Sequence, residues 1–384
     1  MRTLVLLCIF AVLAGTPAPV ALAAEPECPA PIPAQAPHGS PPAELLLAHR
    51  FATGAGVKVA VIDTGVAPHP RLGQVADGGD LIGTGESGGA FHDCDGHGTI
   101  VAGVIAARPA PQHDDALLGI APDAEIIAIR QSSSVLRSPA RPEESAGTIA
   151  TLADALHRAV DMDAHVINVS LASCVPAHLA GSLDARVLDE ALLRAEHSGA
   201  VVIAAAGNIG TACPAGSISY PAHSPTVIAV SASETSHDLA QYSLPTSGTP
   251  YSAPGRVPVG LSPHGEGFAT GMHHQTQQQP FMGTSFAAPV VSGVAALLTQ
   301  RYPEDTPAQL RARLTASASP GTGHISSTTA LTVIMGEAYH QQVSLTQPAE
   351  PDMRIQQRAL TFLLITAIGL ASLGILLAAW RKMM

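Results

Sequence analysis

The chain has 384 residues, 46% of them hydrophobic and 13% charged, with a net charge of −11. That length holds one large domain with appendages. The acidic balance and the lack of a basic stripe argue against nucleic-acid binding, and so weakly charged a composition fits an exported, partly membrane-embedded protein.

Residues 1–23 read as a secretory signal. Arg2 supplies the positive start, Leu4 to Leu13 the apolar core, and Ala21-Leu22-Ala23 the small-residue cleavage site. The core is too short to span a bilayer. Residues 24–43 are rich in Pro and Ala and carry no periodicity, so they form an extended arm rather than a domain. A single domain is expected over 44–335. It opens with a short helix over 44–51 and a nearly all-apolar strand over 57–62, a pattern of burial on both faces. A Gly-rich loop over 80–89 leads to a helix over 100–107. Strands follow over 124–129, 166–170, 201–206 and 226–232, and helices over 149–162 and 183–198. Residues 132–145 read as an exposed insertion, and 244–279 as loop. An apolar helix over 290–298 and a terminal helix over 307–316 close the domain. Strands alternating with helices predict an α/β fold whose central parallel sheet is flanked by helices.

Residues 336–358 read as a polar, Pro-containing linker. Residues 359–380 are apolar and free of charge, long enough to cross a membrane, and end on Trp380 as an interfacial anchor. Arg354 and Arg358 precede this run, and Arg381 and Lys382 follow it, so charge alone sets no orientation. The exported N-terminus does: residues 381–384 become a cytoplasmic tail, and the domain lies outside the cell membrane. Cys8 leaves with the signal. Cys28, Cys94, Cys174 and Cys213 remain, an even count that points to two disulfides with three possible pairings. Cys174 and Cys213 each follow a central strand by a few residues, and parallel strands end on one edge, so these two can meet. That leaves Cys28 with Cys94, pinning the arm beside the histidine segment.

Three stretches carry chemistry. Val59-Ala60-Val61-Ile62-Asp63-Thr64-Gly65 is an apolar strand ending in an aspartate. Asp95-Gly96-His97-Gly98-Thr99 sets a histidine between glycines before a helix. Gly283-Thr284-Ser285-Phe286-Ala287-Ala288-Pro289 sets a serine on the first turn of a buried helix, where unpaired N–H groups favour developing negative charge. Taken alone, that serine reads as a helix cap. An Asp, a His and a Ser, each at an element end, supply what a nucleophilic triad needs. His273 and His274 lack a carboxylate or cysteine at metal-ligand spacing, so no metal is expected there.

Together with Ala204-Ala205-Ala206-Gly207-Asn208, these stretches resemble the signature segments of the subtilisin-like serine proteases. The resemblance implies a serine endopeptidase in which Asp63, His97 and Ser285 are catalytic and Asn208 donates to the oxyanion. It implies substrate lying extended along Ser170, Leu171 and Ala172, with Ala205 and Gly207 on the opposite wall. Ala172 stands where that family commonly has Gly, which narrows the pocket toward small or medium side chains. An arm this short is too small for the folding prodomain many such enzymes carry. No cofactor is expected; such enzymes often bind calcium at loops, but no acidic cluster here assigns a site. The whole architecture, with Asp93-Cys94-Asp95-Gly96-His97-Gly98-Thr99 and Ile129-Arg130-Gln131-Ser132-Ser133, is similar to the mycosins, membrane-anchored proteases of type VII (ESX) secretion systems. That resemblance implies the pairings Cys28–Cys94 and Cys174–Cys213. It also implies exported proteins as substrates and a second role stabilising the secretion membrane complex. Phe286 departs from the Tyr a mycosin often has there.

Overall fold

The computed structural model describes residues 28–83, 88–110, 112, 115–137, 145–246, 248, 250–274, 277–335 and, in part, 363–381. The signal segment over 1–23 and the linker over 336–358 lie outside the described residues. By compactness the chain divides into residues 1–335 and 336–384.

The first unit is built on a seven-stranded sheet. Its spatial order is Tyr251–Pro254, Val227–Ser233, Val201–Ala205, Val166–Val169, Lys58–Asp63, Glu125–Arg130 and Val75–Asp80, and every pairing is parallel. Alternation along each strand divides the core into two. Val59 and Val61 face one cluster with the helices His97–Ala106 and Thr284–Arg301, while Ala60 and Ile62 face a second with Ile149–Asp161 and Arg186–His197. Burial on both faces is what the unbroken apolar strands required. The helix Thr284–Arg301 is apolar nearly all round and is buried accordingly, Pro289 included. Pro289 is the sixth residue of this helix, past its first turn, so its missing N–H removes the bond an α-helix would otherwise make to the Ser285 carbonyl.

Parallel strands end on one edge. Asp63 closes its strand there, Ser170 follows Val169, and Gly207 and Asn208 follow Ala205. The starts of the two buried helices reach the same edge, bringing His97 and Ser285 to it. Loops at this edge are the usual ligand site of such sheets.

Three regions read from the sequence as loop, exposed insertion or extended arm carry strands. Residues 244–279 are not mainly loop: strands run over Tyr251–Pro254, Gly260–Leu261, Phe268–His274 and Gln277–Pro280. Their Gly, His and Gln content hides any alternation, and pairing with neighbours overrides weak propensity. The segment 132–145 is not simply exposed either. Its described start is a strand, Ser133–Arg137, paired with Ser145–Ala146, and Ser133 is buried. The arm carries a strand as well: Ala30–Ala34 pairs antiparallel with Phe268–His274. Its two prolines are tolerated because it lies at an edge.

Among the described residues, no helix is long and apolar enough to cross a membrane. Helical residues of the second unit include 373–381, and part of the span expected over 359–380 lies outside the described residues.

Candidate active site

The strand end, the histidine helix and the serine helix converge on one hydrogen-bonded chain. His97 Nδ1 lies 2.7 Å from Asp63 Oδ1, and His97 Nε2 lies 2.9 Å from Ser285 Oγ. A carboxylate only accepts, so the ring proton sits on Nδ1 and Nε2 is left to accept from the serine hydroxyl. Asp63 is fully buried, whereas a quarter of the His97 side chain is exposed. Burial works against a charged imidazole, but the Asp63 charge and its hydrogen bond outweigh it, with Asp93 and Asp95 adding to them. The net effect holds the His97 pKa above its ordinary value of 6.5.

The glycines in the motifs are there for contact. A Cβ on Gly98 would lie 2.0 Å from the Gly65 carbonyl and 3.0 Å from the Asp63 Cβ. Only a glycine lets the histidine helix approach the aspartate strand this closely. A Cβ on Gly283 would lie 2.9 Å from Asn208 Nδ2 and 3.2 Å from Ser285 Oγ. That places the Asn208 amide nitrogen beside the serine turn. Asn208 is oriented by its other end: Oδ1 accepts the Thr284 N–H at 2.9 Å, which turns Nδ2 toward the cleft. Thr284 Oγ1 in turn accepts the Gly207 N–H at 3.1 Å.

The cleft is about 440 Å³ in volume, and its lining includes His97, Ser285, Asn208, Ser170, Ala172 and Gly207. Leu171 and Ala205 line it too, so every substrate-contact residue expected from the sequence falls on one cavity. Residues 170–172 are an unpaired stretch just past the strand Val166–Val169, free to pair with another chain. The two disulfides join Cys28 to Cys94 and Cys174 to Cys213. The second braces a wall of the cleft: a Cβ on Gly207 would lie 3.5 Å from Cys174 Sγ and 3.6 Å from Cys213 Sγ.

Several contributors were not read from the sequence. Phe286 packs on the His97 imidazole, ring centroids 4.8 Å apart. Asn168, fully buried, donates to Ser170 Oγ at 2.8 Å and accepts from Ser292 on the serine helix at 2.8 Å. It therefore couples the stretch after the strand Val166–Val169 to the helix that carries Ser285. Asp95 accepts from the Ser134 N–H at 2.7 Å and from the Ser133 and Ser134 hydroxyls, which fixes the wall beside His97. Met272 and Gln279, on the paired strands Phe268–His274 and Gln277–Pro280, line the cavity too, with Phe281 and Met282 beyond them. Phe286 and Asp95 lie inside the motifs quoted above, but their roles there, like that of Asn168, come from partners distant in sequence: His97, Ser133 and Ser134, and Ser292.

Among the described residues, Cys28, His92 and Cys94 are close enough to suggest a metal, their ligand atoms within 4.8 Å of one another. The two sulfurs are bonded to each other, which removes them as ligands. His273 and His274 end the strand Phe268–His274.

A chain with this sheet, these two buried helices and this hydrogen-bonded Asp-His-Ser set belongs to the subtilase family, Peptidase S8, whose family model matches residues 54–341. Within it the similarity is to mycosins. The chain is 41% identical to Mycosin-4 of Mycobacterium tuberculosis over 291 residues, which cover 72% of this chain and 63% of that protein. It therefore spans about two thirds of the length of the curated relatives it matches. Among solved structures, the MycP3 protease from the type VII (ESX-3) secretion system matches with TM-score 0.71 and 35% identity, covering 81% of this chain and 93% of that one. A chain in an intact ESX-5 inner membrane complex matches with TM-score 0.68 and 31% identity, covering 90% and 94%.

Proposed function

We propose that the protein is a membrane-anchored serine endopeptidase that cleaves exported protein substrates of a type VII secretion system. The observation that carries this reading is the chain of hydrogen bonds from Asp63 through His97 to Ser285, open to a cleft. His97 takes the Ser285 proton as the hydroxyl attacks a peptide carbonyl, and Asp63 holds the imidazolium that results. The Asn208 side-chain N–H and the Ser285 backbone N–H stabilise the oxyanion. His97 then returns the proton to the leaving amine, and water repeats the sequence to release the acyl group. Substrate lies along residues 170–172, and the methyl group of Ala172 favours small or medium side chains at the cleaved position. The reading includes removal of 1–23, a single span over 359–380, and a protease domain on the extracytoplasmic side. The apolar side chains of Leu363, Leu370, Ile375 and Leu376, each at least 65% exposed to solvent, support that span.

A second reading is that the chain is mainly a structural subunit of the secretion membrane complex. The likeness to a chain of the ESX-5 inner membrane complex favours it. One experiment separates the two: delete the protein in its source cell, restore either the native chain or Ser285→Ala, and record which proteins are exported and which are cut. Export restored with a substrate left uncut means protease and scaffold together. Export lost with Ser285→Ala, at normal membrane level, makes proteolysis the essential step.

A further inference from the structure

Asp93 is a carboxylate that the triad chemistry does not use. It lies four residues before His97 and is 4% exposed. Both of its oxygens are held. Oδ1 accepts from the Thr64 hydroxyl at 2.7 Å and from the Gly96 N–H at 2.9 Å. Oδ2 accepts from the Thr99 N–H at 2.8 Å and from the Thr99 hydroxyl at 2.6 Å. Thr64 is the other half of the bridge. Its N–H donates to Asp63 Oδ1 at 2.8 Å, and its hydroxyl accepts the Gly98 N–H at 3.0 Å.

One buried carboxylate thus ties the residue after Asp63 to the residues on both sides of His97. It also does work that Gly96 leaves undone. Gly96 is the cap residue of the histidine helix and has no side chain to offer the third helical N–H, which Asp93 takes instead. A negative group at this helix end is favoured by the helix dipole. An amide side chain does not replace it. Each oxygen takes a backbone N–H, so an asparagine, in either flip, turns its own NH₂ on one of them.

We propose that Asp93 is a positioning residue for the Asp63–His97 pair: it fixes the histidine helix against the aspartate strand end, and its charge supports the imidazolium formed when His97 takes the serine proton. The proposal rests on the serine-protease reading above. Its electrostatic part is confined to few groups. Asp63 faces His97 from its strand, Asp93 and Asp95 face it from the loop before its own helix, and the serine helix presents Ser285 and Phe286, which carry no charge. Burial, opposed by its hydrogen bonds and reinforced by the Asp63 charge, pushes the Asp93 pKa up to about 6. Above that value it is ionised.

The test uses the full chain in detergent micelles, native and Asp93→Asn. The His97 ring titration is followed by carbon NMR, the signal being assigned by its loss in His97→Gln, and Ser285 labelling by a fluorophosphonate is timed across the same pH range. Removing the Asp93 charge is expected to lower the His97 midpoint by about half a pH unit or more and the labelling rate by about tenfold. An unchanged midpoint with an unchanged rate overturns the proposal. A native chain that fails to label overturns the protease reading instead, and the His97 midpoint still decides the electrostatic role of Asp93. Should Asp93→Asn not fold, Thr64→Val keeps the charge and breaks the bridge. It is expected to slow labelling about tenfold with the His97 midpoint held, and a native rate in that variant overturns the positioning role.

Discussion

At the scale of single residues, the Asp63–His97 bond dictates a pH response. A base acts only when neutral, and the His97 pKa is held above 6.5, so activity should fall with pH at a midpoint above 6.5. A profile of kcat/KM with peptide substrate checks this; the expectation fails if the acid limb falls below that value. The same shift carries a stability sign. The charged imidazole supports the fold fully below 6.5, and that support is lost as pH rises through the raised value. Asp93 has the same sign. Its folded pKa of about 6 lies above the ordinary 3.8, so its contribution is fully present below 3.8 and is lost as pH rises through 6. The loss is on the order of 3 kcal/mol. Urea unfolding of Asp93→Asn from about pH 4 to pH 7 should show that part of the pH dependence gone. On the proposed mechanism, Asn208→Ala removes one oxyanion donor and should lower kcat by about 10²–10³-fold with KM little changed. Steady-state kinetics decide it, and an equal rise in KM with kcat intact would assign Asn208 to ground-state binding.

At the scale of elements, the approach of two helices to one sheet edge sets the tolerance for added atoms. Gly293, in the serine helix, has no room: a Cβ there would lie 2.4 Å from the Ile120 Cβ. Gly293→Ala should cost about 1–3 kcal/mol, read from the urea midpoint. A variant as stable as the native chain would show that the helix shifts freely. The elements differ in how plainly the sequence announced them. The strands Lys58–Asp63, Val166–Val169 and Val201–Ala205 were legible because burial on both faces demands unbroken apolar runs. Asp63, His97 and Ser285 stood out as candidates because each sits in a short motif with a glycine held by close contact, and Asn208 because it follows Gly207, whose backbone takes φ +105°. The edge strand Val75–Asp80 was not, since Val-Ala-Asp-Gly-Gly-Asp has almost no strand propensity and pairs only because Glu125–Arg130 offers it an edge. Gln277–Pro280 was hidden for the same reason. Asn168 and Asp93 were hidden differently: a buried polar residue declares its purpose through partners 124 and 29 positions away, Ser292 and Thr64.

At the scale of the whole molecule, two covalent links and one strand pairing join regions far apart in sequence. Cys28 and Cys94 are 66 residues apart. Replacing both by serine should lower stability by about 2–4 kcal/mol, measured by urea unfolding against the native chain. No loss would mean that the pairing of Ala30–Ala34 with Phe268–His274 alone holds the arm. That pairing also sets an order of events in synthesis. The arm strand Ala30–Ala34 has no partner until residues 268–274 follow it, so its backbone stays unpaired while most of the chain emerges. Such a strand invites the wrong neighbour. Pro31 and Pro33 offer no N–H to any of them, and the strand stays a poor template until its proper edge arrives.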